Sequence, residues 1–208
     1  ESDPAVMKQK ILAARTHGID YFIFDYYHYA DGTFLSHCLD DGFLPAVAGD
    51  PFRFALMWAN HDWIDIHPRK RSTPPALLYP GAVNPEQFRQ ITDSIIERYF
   101  KHPNYYLRDG KPYFSIYHLQ ELIRGLGGFQ ATRDALSDFR ERAVKSGLPG
   151  LHLNAIVWGS PVLPGEEEDR PRGEVVQALG FDSTASYVWI HHFPLPKQAE
   201  YPYPEAME

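Results

Sequence analysis

Two carboxylates, Asp25 and Asp62, stand among aromatic and imidazole side chains where apolar runs of the chain give out. In FIFDYYHY the run closes on Asp25, Tyr26, Tyr27 and His28; in FALMWANHDW it closes on Trp58, Asn60, His61, Asp62 and Trp63. Three later runs end alike, in Tyr117 and His118, in Asn154 and Trp158, and in Tyr187, Trp189, His191 and His192. These residue types suit a sugar. A carboxylate hydrogen-bonds hydroxyls, or moves protons if its neighbours raise its pKa. An aromatic ring lays a flat apolar face against sugar C–H groups while its polar edge stays wet. Asp25 and Asp62 are the catalytic candidates of this chain; the candidates for substrate binding are Tyr26, Tyr27, His28, Trp58, Asn60, His61, Trp63, Tyr117, Asn154, Trp158, Tyr187, Trp189, His191 and His192. Structural alternatives stand beside them: Asp25 as a helix cap or the partner of a buried arginine, Trp58 as core. His191-His192 makes a poor metal pair, because adjacent residues of a strand point to opposite faces and no H-x-H or H-E-x-x-H pattern supports them.

The elements that position these residues follow from periodicity. Ser2 or Asp3 caps a helix with Pro4 in its first turn, whose apolar residues recur at helical spacing until Gly18. Ile19 to Tyr27 is short, aromatic and branched, and reads as a buried strand. A segment of helical character, Thr33 to Leu44, separates it from a second strand, Phe52 to Trp58. Asn84 and Pro85 open an amphipathic helix to His102, the Asp109-Gly110 turn leads to a strand over Pro112 to Tyr117, and helical segments cover Leu119 to Leu126 and Thr132 to Ser146. Strand Leu151 to Val157, a short helix Gly173 to Leu179 and strand Phe181 to Tyr187 complete the series. Strands alternating with helices imply parallel β/α units. No strand is followed by a Gly-rich phosphate-binding turn, which disfavours an open nucleotide-binding sheet and favours a (β/α)8 barrel of the TIM type. Five strands are too few to close one, so residues 1–208 are expected to form a single, incomplete barrel domain with about five of the eight units. The polar and aromatic clusters all fall after strands, where this fold builds its active sites, while ordinary turn residues precede the strands.

Composition excludes other classes. The chain has 208 residues, 44% of them hydrophobic and 23% charged, enough apolar material for a core. The net charge is −7 and the densest basic run is Arg69-Lys70-Arg71, so nucleic acid is not an expected partner. One cysteine, Cys38, excludes an internal disulfide and a cysteine-based zinc site. No apolar stretch reaches the roughly 20 residues of a membrane span, and no targeting segment opens the chain. Glu166-Glu167-Glu168 reads as a solvated loop. Aromatic residues make up 14%, more than a core requires, and many adjoin polar residues as they do on sugar-binding surfaces.

The blocks FALMWANHDW, YFKHPNYYLRDGKPYFSIY (Tyr99 to Tyr117), LHLNAIVWG and SYVWIHH, in this order, resemble the glycoside hydrolase family 99-like domain, also known as the WbsX-type glycosyltransferase family, from about Val6 to His192. The resemblance implies a (β/α)8 barrel acting on glycans. It further implies kinship with retaining endo-α-mannosidases that use no metal or organic cofactor. In those enzymes one carboxylate assists the sugar's own 2-hydroxyl in attacking the anomeric carbon, through an anhydro-sugar intermediate, and another protonates the leaving oxygen. The carboxylates of that family lie in a W-N-E-W-x-E-G-like segment, which this chain does not contain. Where members often carry Glu-Asn after W-A-N, this chain has His61-Asp62. Three functions follow as expectations: a glycoside hydrolase whose main carboxylates lie outside this chain, a glycosyltransferase of polysaccharide biosynthesis, and a non-catalytic carbohydrate-binding barrel.

Overall fold

The computed structural model describes residues 2–65, 67, 70, 72–157 and 172–187. Helix α1 (Pro4–Thr16) starts where the Asp3 carboxylate accepts the Ala5 amide at 2.8 Å, and it buries Met7, Ile11 and Ala14. Strand β1 (Tyr21–Tyr29) turns back through Ala30 and Asp31 into β2 (Gly32–Phe34), pairing Tyr29 with Gly32. A π-helical turn over Cys38–Phe43 runs into the short α2 (Leu44–Val47), and β3 (Arg53–Trp58) follows. A hairpin of β4 (Trp63–Ile64) and β5 (Leu77–Tyr79) precedes α3 (Pro85–Ile95), which ends in a π-helical turn, Ile96–Phe100. Asn84 and Gln87 form a reciprocal capping box at the start of α3. Next come β6 (Leu107–Arg108), β7 (Lys111–Ile116), α4 (Leu119–Leu126), α5 (Phe129–Lys145), β8 (His152–Val157), α6 (Arg172–Ala178) and β9 (Ser183–Ser186).

The main sheet has the order β2-β1-β3-β7-β8-β9. From β1 to β9 every neighbour is parallel; β2 joins β1, and β6 joins β7, antiparallel. These five parallel strands, in chain order and linked by helices, are part of the wall of a (β/α)8 barrel, as the alternating pattern predicts. They coincide with the five expected strands to within a few residues. One expectation needs correction: part of Thr33 to Leu44 is not helical, because Thr33 and Phe34 pair with His28 and Tyr27. Between the second expected strand and the helix at Asn84 the structure adds a hairpin, with Trp63 paired to Tyr79 across β4 and β5.

Strand alternation divides the side chains between two faces. Phe22, Phe24 and Tyr26 of β1, Phe54, Leu56 and Trp58 of β3, Phe114 and Ile116 of β7, and Leu153 and Ala155 of β8 turn toward the helices. There they pack with Ile11, Phe43, Phe88, Ile95, Tyr99 and Phe139 in one continuous core. The other face carries a row in register: Asp25 opposite Met57, Met57 opposite Ser115, Ser115 opposite Asn154, and Asn154 opposite Ser183. Its polar members satisfy one another. Asn154 donates to the Ser115 hydroxyl at 2.9 Å and accepts from Ser183 at 2.8 Å. In the helix layer the buried Arg142 of α5 ties Asp93, Asp138 and Thr92 together.

Two glycines allow backbone to pass against backbone. A β-carbon on Gly81 would stand 2.4 Å from the His61 carbonyl carbon, and one on Gly125, inside α4, would stand 2.4 Å from the Val83 oxygen. The strand running from β5 to α3 is thereby held between the end of β3 and the flank of α4.

Candidate functional site

The ends of β1, β3, β7 and β9 bring a continuous set of rings together. His61 stacks on Trp63 with centroids 6.1 Å apart and planes at 19°, and it meets the edge of Tyr117 at 5.7 Å. Tyr117 in turn meets Tyr187 at 5.0 Å, and Tyr27 stands edge-on to both His61 (5.9 Å) and Trp63 (5.6 Å). Tyr27 lies in β1, and Tyr117 and Tyr187 directly follow β7 and β9, where strand alternation continued by one residue turns all three to the face of Asp25. Asp25 lies two residues before Tyr27 on the same face and accepts its phenol hydrogen at 3.5 Å. Desolvation among these rings raises the Asp25 pKa above the ordinary carboxylate value, while the Tyr27 hydrogen bond and the nearby His61 pull it back down. Desolvation likewise raises the Tyr27 and Tyr117 phenols, with the neighbouring Asp25 adding to both. A carboxylate poised upward beside phenols and a stacked indole can accept sugar hydroxyls and can carry a proton.

Asp62 has a different setting. Its Oδ1 accepts the Gly81 amide at 2.8 Å and faces the Arg124 guanidinium at 3.8 Å, and Arg124 also bonds Glu121. These contacts fasten the β4–β5 hairpin to α4. His61 adds a bond from its Nδ1 to the Asp62 carbonyl at 2.9 Å, and its own carbonyl accepts the Tyr29 hydroxyl at 3.2 Å.

Four expected substrate contacts belong to the structure instead. Trp58 is fully buried on the helix side against Phe88, with ring centroids 5.9 Å apart, so its ring cannot reach a substrate on the opposite face. Tyr26, 3% exposed, points the same way and packs edge-on against Tyr99, with His28 beside it. Asn60, 2% exposed, is a clamp: its Nδ2 donates to the His118 carbonyl at 2.9 Å and its Oδ1 accepts the His118 amide at 2.8 Å. Asn154 is buried in the Ser115–Ser183 row. Tyr26 and His28 were drawn in by their nearness in sequence to Asp25 and Tyr27, although period-two alternation sends them to the other face. The candidates Trp158, Trp189, His191 and His192 lie outside the described residues. Reasoning from sequence passed over Tyr29, which alternation places on the face of Asp25 and Tyr27, and over Tyr79, which only the hairpin pairing brings to Trp63. Among the described residues no group of three or more His, Cys, Asp or Glu side chains is placed to hold a metal ion.

A β/α-barrel wall with an aromatic-lined strand-end face places the molecule among barrels of this architecture, and comparison with known proteins narrows the class. The model of the family described as glycosyltransferase WbsX matches residues 2–189, and the chain belongs to that family. Among solved structures it is similar to a GH99 endo-alpha-mannosidase from Bacteroides thetaiotaomicron, at 13% identity and a TM-score of 0.54, over 90% of this chain and 44% of that one. A second structure of the Bacteroides enzyme, in complex with bis-tris-propane, gives 15% identity and a TM-score of 0.52, over 90% and 47% of the two chains. A glycoside hydrolase-like protein matches at 18% identity with a TM-score of 0.52, over 74% and 44%. At these identities the likeness concerns the fold. The chain spans less than half the length of the structures it matches. No curated protein matches it.

Proposed function

We propose that the chain supplies part of the glycan-binding cleft of a retaining glycoside hydrolase that cuts within an oligosaccharide or polysaccharide, in the manner of an endo-α-mannosidase. The observation that carries this reading is the connected ring set Trp63, His61, Tyr117 and Tyr187, with Asp25 and Tyr27 at its side, all on the strand-end face of the barrel wall. Trp63 and Tyr117 offer faces to a sugar ring, Asp25 accepts hydroxyls or carries a proton, and the pair that drives bond cleavage lies elsewhere in the protein. Glycoside hydrolysis needs two carboxylates flanking one bond. Asp62, held by Gly81 and Arg124, serves to position the hairpin and with it Trp63.

The test is incubation of the whole protein with a panel of mannans and other oligosaccharides, with products followed by NMR. Internal cleavage with the anomeric configuration kept is the expected result. The family's description as a glycosyltransferase favours a second reading. Calorimetric binding of a nucleotide sugar, together with no hydrolysis of any glycan, would select that reading over the first.

A further inference from the structure

Next to the strand-end site, and sharing Trp63 with it, lies a cavity of about 210 Å³ lined by Tyr29, Asp31, Thr33, Phe34, Trp63 and Tyr79. Two hairpins build it. The β1–β2 hairpin contributes Tyr29, Asp31, Thr33 and Phe34, and the β4–β5 hairpin contributes Trp63 and Tyr79 from paired positions. The walls are aromatic: Tyr29 lies 5.4 Å from Tyr79 and 6.4 Å from Trp63, and Phe34 lies 5.1 Å from Trp63. Asp31 is the one charged lining residue, and no lysine, arginine or histidine stands among the six. The Asp31 carboxylate stands near the Tyr79 hydroxyl and raises the phenol's pKa.

Ring faces bear negative potential and attract cations, and a carboxylate among them adds to that attraction. A neutral sugar could also donate its hydroxyls to this carboxylate, but only a cationic unit adds an ion pair and attraction to the ring faces. The volume is below the roughly 300–1,000 Å³ of ordinary small-molecule pockets, so it admits one ring or its substituent rather than an oligosaccharide. Trp63 borders both this cavity and the strand-end ring set, so a unit of one chain of sugars could occupy each.

We propose that this cavity binds an amino sugar, one unit of the glycan whose protonated amine pairs with Asp31 inside the aromatic walls. The inference rests on the glycan reading of the neighbouring site and adds a charge requirement to it.

The experiment is calorimetric titration of the whole protein with short oligomers of glucosamine and of N-acetylglucosamine of equal length, at a pH where the free amine is protonated. The amine oligomer is expected to bind about tenfold more tightly, the combined effect of an exposed cation–π contact and an exposed ion pair. Asp31→Asn should cut that preference to about threefold, the share left by the aromatic walls, and should weaken the N-acetylated oligomer much less than the amine oligomer. Asp31 is exposed, so the substitution spares the core, and circular dichroism checks the fold. Phe34→Ala, at the outer wall, should reduce the same preference by a different route.

Equal binding of the two oligomers, or a preference that Asp31→Asn leaves undiminished, overturns the amine inference and leaves the glycan reading in place. Ethanolamine binding as tightly as the glucosamine oligomer overturns the sugar part of the inference. Failure of both oligomers and of neutral mannose and glucose oligosaccharides removes this inference together with the glycan reading on which it rests.

Discussion

Replacing Asn60 with alanine separates a ligand from a clamp. The side chain is 2% exposed and spends both ends of its amide on the backbone of His118, at 2.9 and 2.8 Å. It thus bridges the loop after β3 to the start of α4. Alanine removes two hydrogen bonds, each contributing about 1 kcal/mol net, and leaves a half-buried N–H and C=O short of partners, at about 1–3 kcal/mol for each group that water cannot reach. Some rehydration of these groups is expected at the molecular edge, so the total should fall at about 2–4 kcal/mol. For a protein of this size that lowers Tm by roughly 4–16 °C. Thermal unfolding and urea titration, both read by circular dichroism, measure the effect. Asn60→Asp keeps an acceptor for the His118 amide but sets a second oxygen against the His118 carbonyl, so it should be destabilised as well. Stability within about 0.5 kcal/mol of the parent for Asn60→Ala, with glycan binding alone reduced, would show that Asn60 meets substrate and that the clamp is energetically idle.

Other perturbations test the remaining assignments. Trp58→Ala should cost about 3–5 kcal/mol as a core truncation, whereas Trp63→Ala should cost roughly 1–2 kcal/mol and weaken glycan binding about tenfold; equal costs in denaturant titration would place both rings in the core. Asp25→Asn should leave stability near the parent's in acid and raise it progressively above the parent's as pH climbs past the ordinary carboxylate range. The reason is that the raised pKa makes the folded parent bind more protons than the unfolded chain, an advantage lost when Asp25 ionises. A stability difference of opposite sign across a pH series would contradict the desolvated placement of Asp25. Gly81→Ala should cost about 1–3 kcal/mol, since its β-carbon would stand 2.4 Å from backbone that cannot rotate away, and hydrogen exchange should quicken over the β4–β5 hairpin. Unchanged exchange there would mean that the close approach is not maintained in solution.

The barrel wall was legible because its signals are repetitive. Five short aromatic and branched runs alternate with helical patterns, and Asn84 with Pro85 marks a helix start, so strand positions emerged to within a few residues. The hairpins were not legible. Residues 63–64 and 77–79 are too brief to show a period, and Thr33 and Phe34 pair only because Ala30-Asp31 turns the chain back on β1. The meeting of polar and aromatic residues was legible at the level of strand ends and blurred at the level of side chains. Asp25, Tyr27, His61, Trp63, Tyr117 and Tyr187 do meet, while Tyr26, Trp58, Asn60 and Asn154 serve packing and hydrogen bonding. Alternation could have separated Tyr26 from Tyr27. Nothing local in W-A-N distinguishes an amide aimed at a sugar from one aimed at a peptide 58 residues away.

Gly81 and Gly125 give binding a dependence on residues with no side chain at all. The strip between them carries Tyr79 two residues upstream and Val83 two residues downstream, and it lies where it does because a peptide can slide past each glycine without hindrance. The wall of the cavity around Asp31 is therefore set by clearances far from its ligand. On the proposed amino-sugar reading, a variant of either glycine would alter which unit fits while every lining residue stays the same, so the shape of this cavity can be tuned through empty space as well as through contact.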